Sequence, residues 1–318
     1  MTKAIVTGCA GFIGSHLVEK LTNEKWDVVG IDNFHPYYSK NLKISNIKQI
    51  SQNTNFKFIE GSILNDEDLE KLPKETDYLF HFAAIAGVRN SIKNPDEYFE
   101  INVEGTKKIL KKYSHGKVIF ASTSSVYGEV EKNEFPVNEK HNLKPISPYG
   151  ESKKKAEQVC LEIAEKNKLE LTMLRFYTVY GPRQRPDEAF TKFIRLIQEN
   201  KSIPVYGDGS KERDFTYVSD IVDGVFLAAK KGTGVYNLGS GNPISLNKMI
   251  DTIEKIMNKK IVRDYVDSPI GDVQKTHAEI TKAKEEICYE PKIKFEEGVK
   301  NCINWCLESS SLLKYSKN

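Results

Sequence analysis

Apolar and β-branched residues gather in short continuous runs along the first half of the chain, at Ala4–Thr7, Val28–Ile31, Phe56–Ile59, Tyr78–Phe82, Val118–Ala121 and Leu171–Phe176. Between these runs apolar positions recur with a helical period, near 12–24, 40–51, 66–72, 96–113 and 149–167. A strand that is apolar throughout is covered on both faces, so strands alternating with amphipathic helices predict a parallel sheet with helices on both sides. Right-handed crossovers then make the sheet doubly wound. Beyond residue 177 the rhythm turns irregular, with helices predicted near 187–200, 218–231, 245–258, 278–286 and 295–307 and short strands near 203–206, 234–238 and 261–266. The reading is α/β: a cofactor-sized unit over 1–177 and a smaller mixed α/β lobe over 178–318 that returns a segment to the first. With no Pro/Ser-rich linker and no repeat between them, the two are expected to be closely fused.

Composition narrows this picture little. The chain has 318 residues, 39% of them hydrophobic and 29% charged, which suits a folded protein with a large core. Its 47 basic and 44 acidic residues leave a net charge of +3, so no global field favours nucleic acid. The basic runs Lys107-Lys108 with Lys111-Lys112, and Lys153-Lys154-Lys155, fall on predicted helices and read as solvated faces. No apolar stretch is long enough to span a bilayer, and "KAIVTG" is too short for a signal sequence, so a cytoplasmic protein is expected. Cysteines 9, 160, 288, 302 and 306 lack the paired spacing of a metal site. Cys302 and Cys306 share a helix face and are expected as buried, reduced thiols, with no metal.

Two local patterns carry chemistry. "TGCAGFIG" places Gly8, Gly11 and Gly14 between the first predicted strand and the first predicted helix, where backbone N–H groups and a helix N-terminus can meet a pyrophosphate. The next strand ends at Asp32, 18 residues beyond Gly14, where a carboxylate accepts hydrogen bonds from both ribose hydroxyls and repels a 2′-phosphate. NAD is therefore expected rather than NADP, with the three glycines letting it reach the backbone. "YGESK" sets Tyr149 and Lys153 four residues apart, on one helix face. An ammonium beside a phenol lowers the phenol's pKa, so Tyr149 is the candidate base for an alcohol proton.

The glycine spacing, with "HFAAIAGV", "NVEGT", "STSSVYG", "SPYGESK", "YGPRQRP", "RDFTYVSD" and "YNLGSG", resembles the extended short-chain dehydrogenase/reductases, specifically the NAD-dependent sugar epimerases and dehydratases, over essentially the whole chain. The resemblance implies a Rossmann-like fold and cofactor contacts at Phe12, Ile13, Asn33, Ser62, Ile63, Ala83 and Ala84, with Lys153 also holding the nicotinamide ribose. It implies that the Thr123 hydroxyl meets the reacting oxygen beside Tyr149. Dehydratases of this family carry an Asp-Glu pair after that threonine, and UDP-glucuronate decarboxylases a glutamate before the Val-Tyr-Gly; here stand Ser124 and Ser125, neither a competent acid or base. One departure is Ser62, where the family usually has the acid that meets the adenine amino group.

For the substrate, the resemblance implies a nucleoside-diphosphate sugar. It places a phosphate on Arg213, a base against Val205 and Tyr206, and the nucleotide ribose on Asp272; a surface ion pair with Asp214 is the alternative for Arg213. Many relatives have an arginine shortly before that acid, where this chain has Pro269 and Ile270. Thr178 followed by "VYGPRQRPD", "DNFHPYYSKNLK" after Asp32, and "AGVRNSIKNP" around Arg89 look like UDP-glucuronate 4-epimerases, in contrast to the asparagine that UDP-glucose 4-epimerases usually have at position 178. A sugar carboxylate wants hydroxyl donors, which Thr123, Ser124, Ser125 and Thr178 offer, and a cation, for which Arg185 is a candidate; Arg185 facing the pyrophosphate or solvent remains open. The activity expected is 4-epimerisation of a UDP-sugar through a transient 4-keto intermediate, with UDP-glucose or an N-acetylated hexosamine nucleotide as alternative substrates. A non-catalytic NAD sensor is the remaining reading, against which the retained Tyr–Lys pair argues. The family commonly dimerises through the helices near 96–113 and 149–167, and Tyr98, Phe99 and Ile109 are compatible with such a homodimer or with the core.

Overall fold

The computed structural model describes residues 1–113, 115–268 and 271–314. Six of the early apolar runs become β1 (Lys3–Thr7), β2 (Asp27–Asp32), β3 (Phe56–Glu60), β4 (Tyr78–His81), β5 (Lys117–Thr123) and β6 (Glu170–Phe176). The second half adds β7 (Thr178–Tyr180), β8 (Ile203–Tyr206), β9 (Glu212–Tyr217), β10 (Gly234–Leu238), β11 (Pro243–Ser245) and β12 (Arg263–Val266). The main sheet has seven strands in the order β10-β6-β5-β4-β1-β2-β3, with every pairing parallel. This is the doubly wound dinucleotide-binding order, extended at the β6 edge by β10, a strand from the second half of the chain. The order reverses between β1 and β4, and the crevice for a ligand opens at the carboxyl ends of these strands.

Sheet interiors are apolar for the expected reason. Val6, Phe80, Ile119 and Leu174 on neighbouring strands are fully buried and stack into a core that continues into the second lobe. There Tyr180 stacks on Phe190 at 4.7 Å, and Phe215 and Phe295 close the cluster. The smaller lobe holds the sheet β11-β9-β7 and the pair β12-β8. Cys302 and Cys306 lie in the core, where burial pushes both thiols up. No helix among the described residues is long and apolar enough to cross a membrane.

Two features position the site. The predicted helix near 96–113 is interrupted by a π-helical turn, Glu100–Glu104, which turns Asn102 inward. Its amide accepts from Ile85 N (2.9 Å) and donates to Ile85 O (3.0 Å) and Ser152 Oγ (3.0 Å), so it pins the β4 loop to the helix Pro148–Asn167. At the start of that helix, a Cβ on Gly150 would lie 2.6 Å from Ser125 O. Glycine there lets the helix carrying Tyr149 press directly on the turn after β5. Tyr98 and Ile109 are fully buried in the single chain, so of the three apolar residues weighed for a dimer face only Phe99 is partly accessible.

Candidate active site

A cleft of about 610 Å³ opens where β1, β2, β4 and β5 end. Every residue expected to hold the cofactor lines it: Gly8, Gly11, Phe12, Ile13, Gly14, Asp32, Asn33, Ser62, Ile63, Ala83, Ala84, Tyr149 and Lys153. Thr123, Ser124, Ser125, Thr178 and Arg185 line it too. Arg89, Val205, Tyr206, Arg213 and Asp272 lie outside this lining.

The glycines divide the work differently from the expectation. Gly8 has φ +70°, and a Cβ there would fall 2.8 Å from Ala83 N; at Gly14 it would fall 2.1 Å from Gly8 O. The packing of the turn on itself and on the segment after β4 demands those two. Gly11 is the least crowded of the three, its Cβ meeting Gly8 O at 3.2 Å and no other atom within 4 Å. Gly11 is also the N-cap of the helix Phe12–Asn23 and offers no side-chain cap, so the helix N–H groups behind it face the cleft. This cradle suits a pyrophosphate.

At the end of β2, Asp32 accepts from Ala10 N (3.1 Å) and Phe34 N (2.8 Å), which aims its carboxylate across the turn. Burial raises its pKa, opposed by the nearby Lys43 ammonium. Lys43 donates to His35 O (2.6 Å) and lies 4.5 Å from the Tyr38 ring centroid, so its charge is absorbed by the loop between Asp32 and itself. Ser62 uses its groups locally: its N–H donates to Asp68 Oδ2 (2.9 Å) and its Oγ accepts from Leu64 N (3.2 Å). The hydroxyl shapes the turn, and the cleft wall there is otherwise apolar through Ile63.

At the reacting centre, Thr123 ends β5. Its Oγ1 accepts from Ser125 N (3.1 Å) and donates to Ser125 Oγ (3.2 Å), and the side chain lies beside the Tyr149 phenol. Ser125 Oγ, having accepted from Thr123, keeps its own proton to donate. Tyr149 follows Ser147, whose Oγ caps the helix by accepting from Gly150 N (3.1 Å). Withdrawal from water holds the phenol above the ordinary tyrosine value, the Thr123 hydroxyl and the Arg185 charge opposing. This differs from the lowering expected of the adjacent ammonium, because the Lys153 ammonium stands 4.1 Å over the Phe120 ring. Burial brings Lys153 itself down to about 8.

Arg185 faces the cleft, but it is not idle. Nε and Nη2 donate to Asp187 (3.0 and 3.2 Å), Nη1 pairs with Glu188 at 2.8 Å, and the Tyr37 ring centroid lies 5.3 Å away. Tyr37 in turn donates to Asp187 Oδ2 (3.2 Å), so the loop after Asp32 is tied across the cleft to the loop after β7. Glu188, raised by burial, also accepts from Gln184 Nε2 (2.7 Å).

The remaining substrate candidates are paired with one another. Arg89 donates to Tyr206 OH (2.8 Å), and its guanidinium sits 4.1 Å from that ring's centroid; Val205 is buried. Arg213 pairs with Asp272 at 2.6 Å and gives its other Nη protons to Glu212 O (2.8 Å), Gln274 O (3.3 Å) and Val273 O (2.7 Å). All four Nη protons are thereby used and only Nε–H remains, which is short of the two-pronged grip expected on a phosphate. The partner is Asp272, not Asp214. Asp214 lies inside, accepting from Ser240 N, Gly241 N and Ala278 N. Pro269 and Ile270 lie outside the described residues.

Residues that sequence reasoning left unassigned include Tyr37, Lys43 and Glu188 in the cleft and Lys211, which donates to Asp272 Oδ2 (3.1 Å). Tyr37 and Lys43 stood within a stretch already singled out; the Lys43 partners His35 and Tyr38 are local, whereas Tyr37 depends on Asp187, 150 positions away.

Residues 4–239 match the family described as NAD dependent epimerase/dehydratase. A UDP-glucuronate 4-epimerase of Thermodesulfobacterium geofontis is 38% identical over 98% of either chain. The crystal structure of a Bacillus cereus UDP-glucuronic acid 4-epimerase in complex with UDP-glucuronic acid and NAD superposes with a TM-score of 0.92 at 38% identity, covering 96% of this chain and 99% of that one. A Thermotoga maritima UDP-glucose 4-epimerase bound to UDP-glucose gives 0.88 at 34%, covering 97% and 100%. The uncapped helix behind Gly11, the carboxylate at the end of β2 and the Tyr149–Thr123 pair are those of a dinucleotide enzyme acting on a secondary alcohol, and the chain belongs to the NAD-dependent epimerase/dehydratase family.

Proposed function

We propose that this protein is an NAD-dependent UDP-sugar 4-epimerase whose substrate is UDP-glucuronate, converted to UDP-galacturonate. The observation that carries the reading is the Tyr149 phenol beside Thr123 in a cleft whose neighbouring hydroxyls come from Ser124, Ser125 and Thr178, with no carboxylic acid at positions 124 or 125 to drive elimination or decarboxylation. Bound NAD supplies the hydride acceptor and returns the hydride at C4. Tyr149 takes the C4 hydroxyl proton, while Thr123 holds the same oxygen. Lys153, on the same helix face, stabilises the phenolate once the site is filled. In the reverse half, Tyr149 returns the proton to the O4 oxygen as the hydride comes back to the opposite face of C4 in the turned 4-keto sugar.

A 4-keto uronate is a β-keto acid and loses carbon dioxide most readily when the carboxylate bond lies parallel to the carbonyl π system. Hydrogen bonds from Ser124, Ser125 and Thr178 hold that bond out of alignment, an effect of orientation. The paired state of Arg185 favours one alternative, UDP-glucose, because two carboxylates already surround that cation. Residues 1–177 with β10 carry the cofactor, and 178–318 the nucleotide sugar. We place the enzyme in the cytoplasm as a homodimer that uses the helix Pro148–Asn167, on which Leu161 is 52% exposed.

The test is NMR of purified protein incubated with UDP-glucuronate and no added cofactor. UDP-galacturonate formation supports the reading. Conversion of UDP-glucose alone moves the substrate to the neutral sugar, and a pentose nucleotide as main product overturns the positional argument. Thr178→Ala should raise the pentose by-product severalfold, and an unchanged product ratio counts against that role.

A further inference from the structure

Behind the reacting centre lies a buried polar network that the chemistry above does not use. Glu157, one turn after Lys153, receives Arg175 from β6 on both oxygens, Nε to Oε1 at 3.0 Å and Nη2 to Oε2 at 2.8 Å. The two side chains, Arg175 and Glu157, are 5% and 4% exposed. Ser122, immediately before Thr123, donates to Glu157 Oε1 at 2.5 Å. Arg175 Nη1 continues to Tyr127 OH (3.1 Å) and Glu139 O (3.1 Å), and Tyr127 donates to Asn237 Oδ1 (2.7 Å) on β10.

We propose that Glu157 and Arg175 are positioning residues for the epimerase reaction, holding the helix of Tyr149 and Lys153 in register with the strand end that carries Thr123. The inference rests on the proposed chemistry. Thr123 and Tyr149 come from separate elements, and a shift of about 1 Å between a hydroxyl and the base beside it is enough to cost a hundredfold in rate. A bidentate carboxylate that also accepts from the residue next to Thr123 fixes both elements to one atom pair. An apolar contact would hold the layers together but would not fix their slide, since it has no direction.

The same carboxylate acts on Lys153 electrostatically. The groups facing Lys153 are Glu157 and the neutral Cys160 on its own helix, the Phe120 ring on β5, and His81 on β4, which burial pushes down to about 3 and keeps neutral. Of these only Glu157 carries negative charge. Its removal lets Lys153 lose its proton at lower pH, so activity should fall off earlier on the alkaline side.

The experiment measures kcat and kcat/KM against pH for the NAD-loaded enzyme, with UDP-glucuronate and with UDP-glucose, alongside the melting temperature. Glu157→Gln should lower kcat at least tenfold and move the alkaline limb down by about one pH unit, the lower end of what one nearby opposite charge does. Because that variant leaves Arg175 buried and unpaired, the double variant Glu157→Leu/Arg175→Met is measured as well; matched apolar replacement of a buried pair usually preserves folding. It should melt near the wild type and still show the lowered kcat, with a smaller displacement of the limb than Glu157→Gln because the Arg175 charge leaves with the carboxylate. A double variant with wild-type kcat and pH profile overturns the positioning role. A wild type that epimerises only UDP-glucose removes the uronate reading and leaves this test intact on that sugar. A wild type inactive on both overturns the two together.

Discussion

Around Gly11 the chain presents backbone N–H groups and an uncapped helix, whereas around Arg213 every Nη proton is already given to Asp272 or to a carbonyl. The cofactor end of the cleft is complete as it stands. The end proposed for the nucleotide sugar is closed on itself: Arg89 lies on Tyr206, Arg213 and Lys211 hold Asp272, and Arg185 is held by Asp187 and Glu188. For an enzyme that returns its cofactor to the starting state each cycle, the asymmetry is functional. On the proposed reading, NAD gains nothing by leaving a preformed site, while a sugar nucleotide bound at these cations would displace their internal partners, which would reclaim them when it departs.

The largest effect should come from Tyr149→Phe. The phenol oxygen serves the chemistry, while the ring packs edge-on to Tyr98 at 6.2 Å and belongs to the fold. Loss of the proton acceptor should reduce kcat by about a thousandfold, within the range for positioned acid–base groups. Cofactor content, read from the absorbance of the nucleotide released on denaturation, should not change. Loss of NAD together with activity would mean that the two ends of the cleft are not independent.

Next in size is the contrast between two glycines a turn apart. Gly14→Ala forces a Cβ to 2.1 Å from Gly8 O, a backbone atom that cannot step aside, so the whole turn must move. We expect a stability loss of about 1–3 kcal/mol, as for overpacked cores, and protein purified without NAD. Gly11→Ala meets only Gly8 O at 3.2 Å, which a shift of a few tenths of an ångström relieves, so it should cost less stability than Gly14→Ala, but its methyl occupies the approach to the backbone and should weaken NAD retention about tenfold. Melting curves with and without added NAD separate the two. A Gly14→Ala variant that keeps both its stability and its cofactor would show that the turn is looser than this packing implies.

The same asymmetry governs how far the sequence could be read. The strands of the main sheet were visible because a parallel strand covered on both faces is a run of apolar residues, and β8 and β10 were visible for the same reason. The short β7, β9 and β11, reading "TVY", "ERDFTY" and "PIS", mix polar and apolar residues at sheet margins and have no periodic signature. The π-helical turn at Glu100–Glu104 was hidden inside what reads as one continuous helix. In the site, Tyr149 and Lys153 are neighbours through local helical spacing, and the glycine trio through a single turn. Pairings across the fold have no such mark: Arg213 meets Asp272 59 positions away and Tyr37 meets Asp187 150 away. Residue types at those positions suggested ligand contacts, and the fold shows them giving their hydrogen bonds to each other. Burial also decided what spacing could not, lifting Tyr149 where the adjacent ammonium was expected to lower it.

The smallest effect, and the sharpest on the closed end, should come from Arg89→Ala. The Arg89–Tyr206 contact spans the two halves of the chain through one hydrogen bond of 2.8 Å and one stacked guanidinium at a partly exposed site, together worth about 1 kcal/mol. If Arg89 turns from Tyr206 to a phosphate oxygen on binding, it gains a charge-assisted hydrogen bond of about 1.5–3 kcal/mol and forfeits the stack. The net gain is about 1 kcal/mol, so removing the side chain should raise KM for the UDP-sugar about fivefold with kcat nearly unchanged. Initial rates over a range of substrate concentration decide it. A KM below that of the wild type would mean that Arg89 only plugs the base site and that opening it is a pure cost; a large drop in kcat would mean that the closed end reaches the reacting centre, and the separation between the two ends of the cleft would fail.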